Sequence, residues 1–346
     1  MNAKPPPKNI HRWLFWLILA AFSSYFAEVF SGADMFPFFH AWGIFIILPL
    51  YGLHSLLLAH LVYRAEKPLF SSLIFAGMIF GLYEAYLTKV LWDPPWGEAL
   101  IIGGVAPIET LVLVLWWHVW FAFILPLVVL EGLLTSSDEL RATFPGRIRR
   151  FLFSWRGLAL LMVFGGIFQS INSPSVGESL LSGISNTGVL VGLVLLWKRL
   201  TREHSYTMKA LLPGRKEFRL LLIPTGLLYL GLGVILRPEA LPGPIGHAVI
   251  WFLYVISFIL FFRSQRQQSP ADSGEEAGDL QQIPPLRWLL LAGIFPLAAA
   301  AGELLLAPIA EPLALFFWFT GILFGLIMFL QALRNTLKKQ GEMHHA

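Results

Sequence analysis

Ten times along the chain a run of apolar residues approaches the length that a bilayer-crossing helix needs, about 20 residues, the fifth and seventh runs being short. The runs are Trp13–Phe30, Ala41–Val62, Leu69–Val90, Ile108–Glu131, Gly157–Asn172, Ser179–Trp197, Leu220–Leu236, Ile245–Phe262, Trp288–Leu306 and Leu313–Leu333. Polar and basic segments separate them, and none of the intervals can house a soluble domain of ordinary size. The pattern predicts an all-α, polytopic integral membrane protein of about ten transmembrane helices arranged as five hairpins. The expected organisation is a cytoplasmic segment 1–12, an eight-helix membrane domain 13–262, a linker 263–287, a final hairpin 288–333 and a tail 334–346. The linker is polar, acidic and Pro-bounded, which reads as a flexible tether.

Charge fixes the expected orientation. With the N-terminus in the cytoplasm and sides alternating, all of the 25 Lys and Arg residues fall on the cytoplasmic side except Lys89 and Arg237. That asymmetry places both termini inside, in the cytoplasmic membrane. It also accounts for a pI near 9.3 without a nucleic-acid partner. The basic start and first apolar run lack a small-x-small cleavage site, so they read as an uncleaved first helix.

Composition agrees. Hydrophobic residues make up 56% of the 346-residue chain and charged residues 13%, about half the share of a soluble domain. Cys is absent, which excludes disulfides, thiolate metal sites and a Cys nucleophile. No nucleotide-binding loop and no nucleophile elbow are present, so ATP-driven transport by this chain alone is not expected.

The outgoing helix of each hairpin puts a polar residue near its outer end, on a stripe of small residues at spacings of three and four. The stripes are Ala21, Ser24, Glu28 and Ser31; Gly77, Gly81, Glu84 and Thr88; Gly165, Gln169 and Asn172; Gly226, Tyr229, Gly233 and Arg237; and Ala292, Pro296, Ala299 and Glu303. Small residues let membrane helices approach closely, and Gly77–Gly81 is a GxxxG pair. A charge on such a stripe faces protein rather than lipid. The plainer reading of Glu28, Gln169, Asn172, Arg237 and Glu303 is polar packing, with charges hydrated near the interface.

Glu84 stands out as a carboxylate expected about 10 Å below the outer end of its helix, by the helical rise. Glu109 opens the fourth helix, and His54 and His118 sit at comparable depth. Glu84, His118 and Glu109 are therefore the candidate catalytic groups. Two His and one Glu can also ligate a catalytic zinc with an open position for water, so Glu84, His54 and His118 form the candidate metal set. A divalent metal is the one cofactor the sequence offers. The plainer reading of each mid-helix His is a hydrogen bond to a neighbouring helix. Lys89 lies about 140° around from Glu84 and is expected to snorkel outward. In the outer loop, Trp92 and Trp96 bracket Asp93-Pro94-Pro95, and Leu100–Pro107 follows. An aromatic-belt anchor is expected there ahead of a re-entrant segment.

The stretch LIFAGMIFGLYEAYLTKVLW resembles the first motif helix of the CPBP intramembrane proteases, the CAAX- and bacteriocin-processing family. That family's pattern is EExxxR, followed by FxxxH and HxxxN on later helices. Glu84 matches the first Glu. Ala85 stands in place of the second and Lys89 in place of the Arg, while His118 is flanked by Val114 and Ala122. The resemblance covers one helix and implies at most a shared ancestor or a lost activity, not proteolysis.

Three functions follow as alternatives. The first is a membrane-embedded enzyme with a polar site in the outer half of the bilayer, acting on a lipid-like or membrane-buried substrate. The second is a secondary or proton-coupled transporter of a small solute, with Glu84, Glu109, Glu303 and the His residues as a relay. The third is a non-catalytic membrane scaffold. The enzyme reading requires that Glu84 and His118 meet.

Overall fold

A computed structural model describes residues 6–65, 68–97, 99–144, 149–151, 154–267 and 285–338. Long helices occupy each of the ten apolar runs: α1 Asn9–Val29, α2 Gly43–Val62, α3 Phe70–Tyr86 and α4 Pro107–Leu134. They continue with α5 Trp155–Ser170, α6 Val176–Leu200, α7 Arg215–Ile235, α8 Pro244–Ser264, α9 Pro285–Leu306 and α10 Ala310–Leu337. Among the described residues seven stretches are long and apolar enough to cross a membrane, and one of these, Arg287–Leu337, takes in most of α9 and all of α10. No strand occurs among the described residues, only an isolated bridge between Ile102 and Val105. Most of the expected 263–287 linker lies outside the described residues.

Several boundaries differ from the apolar runs. The third helix ends at Tyr86 rather than Val90. The fourth continues to Leu134, and the fifth ends at Ser170. Hydropathy marks where a chain is greasy, whereas the helix stops where backbone geometry turns. Lys89 adopts φ 64°, a left-handed conformation that no α-helix continues through.

The chain divides into two compact units, each assembled from three stretches. The first comprises Met1–Leu56, Leu125–Pro213 and Asp272–Phe317. Within it α9 packs along α5 and α6 through glycines. A Cβ on Gly166 would stand 2.6 Å from the Phe295 carbonyl oxygen, and one on Gly183 would stand 2.6 Å from Pro296 Cα. Phe30 stacks on Phe295 with ring centres 4.9 Å apart, and Tyr25 packs against both rings.

The second unit comprises Leu57–Ile124, Gly214–Ala271 and Trp318–Ala346. Its centre is the Val112–Ile124 part of α4, which winds as a π-helix. Two GxxxG pairs hold that segment. Gly77 and Gly81 of α3 come so close that added Cβ atoms would lie 2.9 Å from Val119 Cα and 2.8 Å from the Leu113 carbonyl oxygen. Gly321 and Gly325 of α10 press on the Trp116 ring and the Leu115 backbone. Backbone approach of this kind, rather than burial of greasy surface, is what packs helices inside a bilayer. The Gly77–Gly81 pair was expected to pack a neighbouring helix. The second pair, in the sequence Gly-Ile-Leu-Phe-Gly, was equally visible but was not singled out.

Candidate functional site

The last turn of α3 faces the π-helical stretch of α4, and there Glu84 meets His118. A short break at Leu82 separates Phe70–Gly81 from Tyr83–Tyr86, so Glu84 starts a fresh turn. Gly81, three residues earlier, brings α4 close enough that a Cβ there would stand 3.4 Å from His118 Cβ. The wide π-turn is a feature that recurs at functional sites. The result is a carboxylate oxygen 3.0 Å from His118 Nε2, with the two side chains 9% and 3% exposed.

Two further groups complete the cluster. The Tyr83 hydroxyl lies 2.9 Å from His118 Nε2 and also hydrogen-bonds the Glu84 carboxylate. Thr88 Oγ1 lies against the same carboxylate and 2.9 Å from the Glu84 carbonyl oxygen. One proton assignment satisfies this arrangement when the His118 Nε2–H is shared between the Glu84 carboxylate and the Tyr83 oxygen. Glu84 as carboxylate accepts from His118 Nε2–H, Tyr83 O–H and Thr88 O–H, which matches its acceptor-only chemistry. Rings enclose the cluster: Phe80 stacks over His118 at 6.2 Å, and Tyr83 meets it edge-on at 5.1 Å. A carboxylate, an imidazole and a phenol in mutual hydrogen-bonding range can hold a proton and pass it among themselves.

Of the expected catalytic groups, then, Glu84 and His118 come together. Glu109 is buried in the first turn of α4 and makes no side-chain hydrogen bond among the described residues. The three-ligand metal set does not form. Among the described residues no group of three His, Cys, Asp or Glu side chains could hold a metal ion. His54 belongs to the first unit, where its Nδ1–H donates to the Leu50 carbonyl at 2.7 Å. Glu84 also lies nearer its helix end than the expected 10 Å, because α3 stops two residues later.

Lys89 does not snorkel. It is fully buried, and its Nζ donates to the Leu232 carbonyl at 2.7 Å. Its left-handed backbone aims the side chain at the C-terminal turn of α7, where the helix dipole favours a cation. Arg237, also left-handed, pairs with Asp93. Lys89 and Arg237 are thus both engaged by protein. In the loop that follows, Trp92 is buried while Trp96, Leu100, Ile101 and Ile102 are exposed. Gly103 and Gly104, both at positive φ, close a tight turn there.

Three of the other polar stripe residues make hydrogen bonds. In the first unit, Glu28 accepts from the Tyr51 hydroxyl at 2.5 Å, and Asn172 Nδ2 donates to the Ser31 carbonyl at 2.7 Å. Gln169 Nε2 donates to Ser182 Oγ at 2.6 Å, and Ser182 donates on to the Met35 carbonyl. Glu303 is half-buried, with no hydrogen bond among the described residues. The sequence had not singled out Tyr83 or Ser182. Nor had it singled out Glu131, whose buried carboxylate accepts from the Leu140 and Arg141 backbone N–H groups at 3.0 Å. Tyr83 sits about 100° around α3 from Glu84 and further still from the two glycines, so stripe reasoning passed it over.

The chain is similar to an uncharacterized protein of Archaeoglobus fulgidus, 31% identical over 333 residues that span 94% of this chain and 99% of that one. No solved structure matches. A family model described as an uncharacterized membrane protein family matches residues 17–338, and with its apolar helices the chain is a multi-pass integral membrane protein that belongs to this family.

Proposed function

We propose that this protein is a membrane-embedded enzyme whose Glu84–His118 pair moves a proton during a reaction on a lipid-like or membrane-buried substrate. The observation that carries the reading is the 3.0 Å contact between Glu84 Oε1 and His118 Nε2 on two helices held together by glycines. Burying two ionisable side chains in apolar surroundings is costly, and for packing alone two apolar residues would serve as well. Intramembrane ionisable groups that pair in this way mark functional sites. Glu84 orients the imidazole, Tyr83 stands ready to donate to the group that holds negative charge, and Thr88 fixes the carboxylate rotamer. The proposed topology has ten spans with both termini in the cytoplasm, which puts this site toward the outer face.

The resemblance of Leu73–Trp92 to the CPBP motif helix supports a shared layout, since that family's Glu and His motifs also lie on separate helices. Ala85 and Lys89 depart from its pattern, and Lys89 is committed to the Leu232 carbonyl, so peptide cleavage is not proposed.

The test compares lipid and membrane-peptide profiles, by mass spectrometry, of membranes carrying wild type, Glu84→Gln or His118→Gln. The expected result is a species converted by wild type and left unconverted by both variants at equal protein level. Identical profiles from all three would overturn the reading. So would proton flux in reconstituted vesicles that Glu84→Gln abolishes while the lipids stay unchanged, because that result belongs to a carrier.

A further inference from the structure

The first unit contains a cavity of about 270 Å³ that the Glu84–His118 cluster does not use. Five helices line it: Phe22 and Phe26 of α1, Leu133 of α4, Met162 of α5, Val191 of α6 and Leu291 of α9. Its wall carries few polar groups. At one level the Tyr25 hydroxyl and Thr187 Oγ1 bond each other at 2.8 Å, so neither leaves an unmet polar group facing the cavity. At another level stands Lys198, in the last turn of α6. It is exposed and makes no ion pair among the described residues. Thr187 and Lys198 are eleven residues apart on one helix, about 16 Å along its axis. Arg199 and Arg202 add charge at the same end of α6 without lining the cavity.

We propose that this cavity holds one hydrocarbon chain of an anionic phospholipid, with the headgroup phosphate on Lys198. A cavity of roughly 150 Å³ with apolar walls already takes up benzene, so 270 Å³ has room for a longer chain segment. The apolar body excludes a polar solute. The lone ammonium at the rim selects an anion, since juxtamembrane cations attract acidic headgroups. The exposed rims at Leu195 and Leu289 give a chain a lateral way in from the bilayer.

Native mass spectrometry of the purified full-length protein tests this, with phosphatidylglycerol and phosphatidylcholine of equal chain length as probes. Wild type should retain phosphatidylglycerol in preference to phosphatidylcholine. Lys198→Glu should lower phosphatidylglycerol retention roughly tenfold and leave phosphatidylcholine little changed. Val191→Phe, which fills the cavity, should lower retention of both. Arg199→Glu should do much less than Lys198→Glu. Equal loss from Arg199→Glu and Lys198→Glu would mean general surface attraction and would overturn the site. Unchanged retention in Val191→Phe would overturn it too, because the chain would then lie elsewhere. Thermal melts with each lipid check that the variants fold. A phosphatidylglycerol-induced rise in Tm that survives Lys198→Glu undiminished also counts against the proposal.

Discussion

Removing Glu84 should hurt more than removing His118, and the two losses should not add. The carboxylate accepts from three donors, so Glu84→Met leaves the His118 Nε2–H and the Tyr83 and Thr88 hydroxyls without that acceptor. His118→Leu takes one donor from a carboxylate that keeps the other two. Interhelical hydrogen bonds in bilayers average about 0.6 kcal/mol and reach about 1.7 kcal/mol. Three of them give about 2–5 kcal/mol for Glu84→Met, and the two that His118 makes, to Glu84 and to Tyr83, give about 1–3 kcal/mol for His118→Leu. In the double variant the shared bond is lost only once, so its cost should fall short of the sum by about 1–2 kcal/mol. The assay is reversible unfolding by a denaturing detergent in mixed micelles, followed by the fluorescence of the 13 Trp residues. Equal single costs, or additivity within about 0.5 kcal/mol, would refute the geometry, because uncoupled side chains cannot share a hydrogen bond.

Three other outcomes follow from the packing and the loops. Gly81→Ala should cost about 1–3 kcal/mol, because its Cβ would meet the Leu113 carbonyl oxygen at 2.8 Å, whereas Gly188→Ala, with open space around it, should be neutral or mildly stabilising in the same unfolding assay. Burial pushes the Lys89 ammonium's pKa below its ordinary value of 10.5, Arg237 adding to the shift and Glu239 opposing it. The folded protein then gives up that proton at lower pH than the unfolded chain does. Stability should therefore rise with pH between the lowered value and 10.5, and Lys89→Met should flatten the rise in melts taken up to about pH 10. Because the chain has no Cys, single cysteines report topology cleanly. A membrane-impermeant maleimide applied from the outer side should label Pro174→Cys and spare Ser205→Cys, and the reverse result would invert the proposed orientation.

The helices were legible because the bilayer imposes a simple requirement. An apolar run of sufficient length has to hydrogen-bond its own backbone, and a helix is the way a single segment does so. Among the described residues a helix lies on each apolar run for that reason. Their ends were less legible, since a helix end depends on local backbone geometry. Lys89 shows the consequence. Counted as part of a helix extending to Val90, it points to lipid and should snorkel. In the structure the helix has already ended, the backbone turns left-handed, and the same side chain is buried on α7. The metal set failed for a related reason. Depth can be read from a sequence, but the direction around the helix axis in which His54 faces cannot be read from depth. The stripe of Gly77, Gly81, Glu84 and Thr88 succeeded because it encodes direction. It states which side of α3 faces a neighbour, and both the close approach and the Thr88–Glu84 bond lie on that side.

That stripe also explains why a costly carboxylate can be tolerated there. Helices kept apart by Leu or Phe side chains run about 8–10 Å apart, which leaves a Glu and a His on facing helices free to rotate past each other. At Gly81 the backbones approach until the Leu113 carbonyl occupies the space a methyl group would need. The α4 segment is held on another side by Gly321 and Gly325, so it has little freedom to recede. Fixed backbones restrict the rotamers open to Glu84 and His118, so the entropy cost of ordering the pair is met during folding. On this argument the four glycines belong to the site although none carries a reactive group. Changing Gly325 to Ala should loosen the Glu84–His118 contact from the far side of α4. The double-mutant coupling between Glu84 and His118, measured again in the Gly325→Ala background, should then fall to about half or less. A coupling unchanged by Gly325→Ala would show that the pair holds itself together without the clasp.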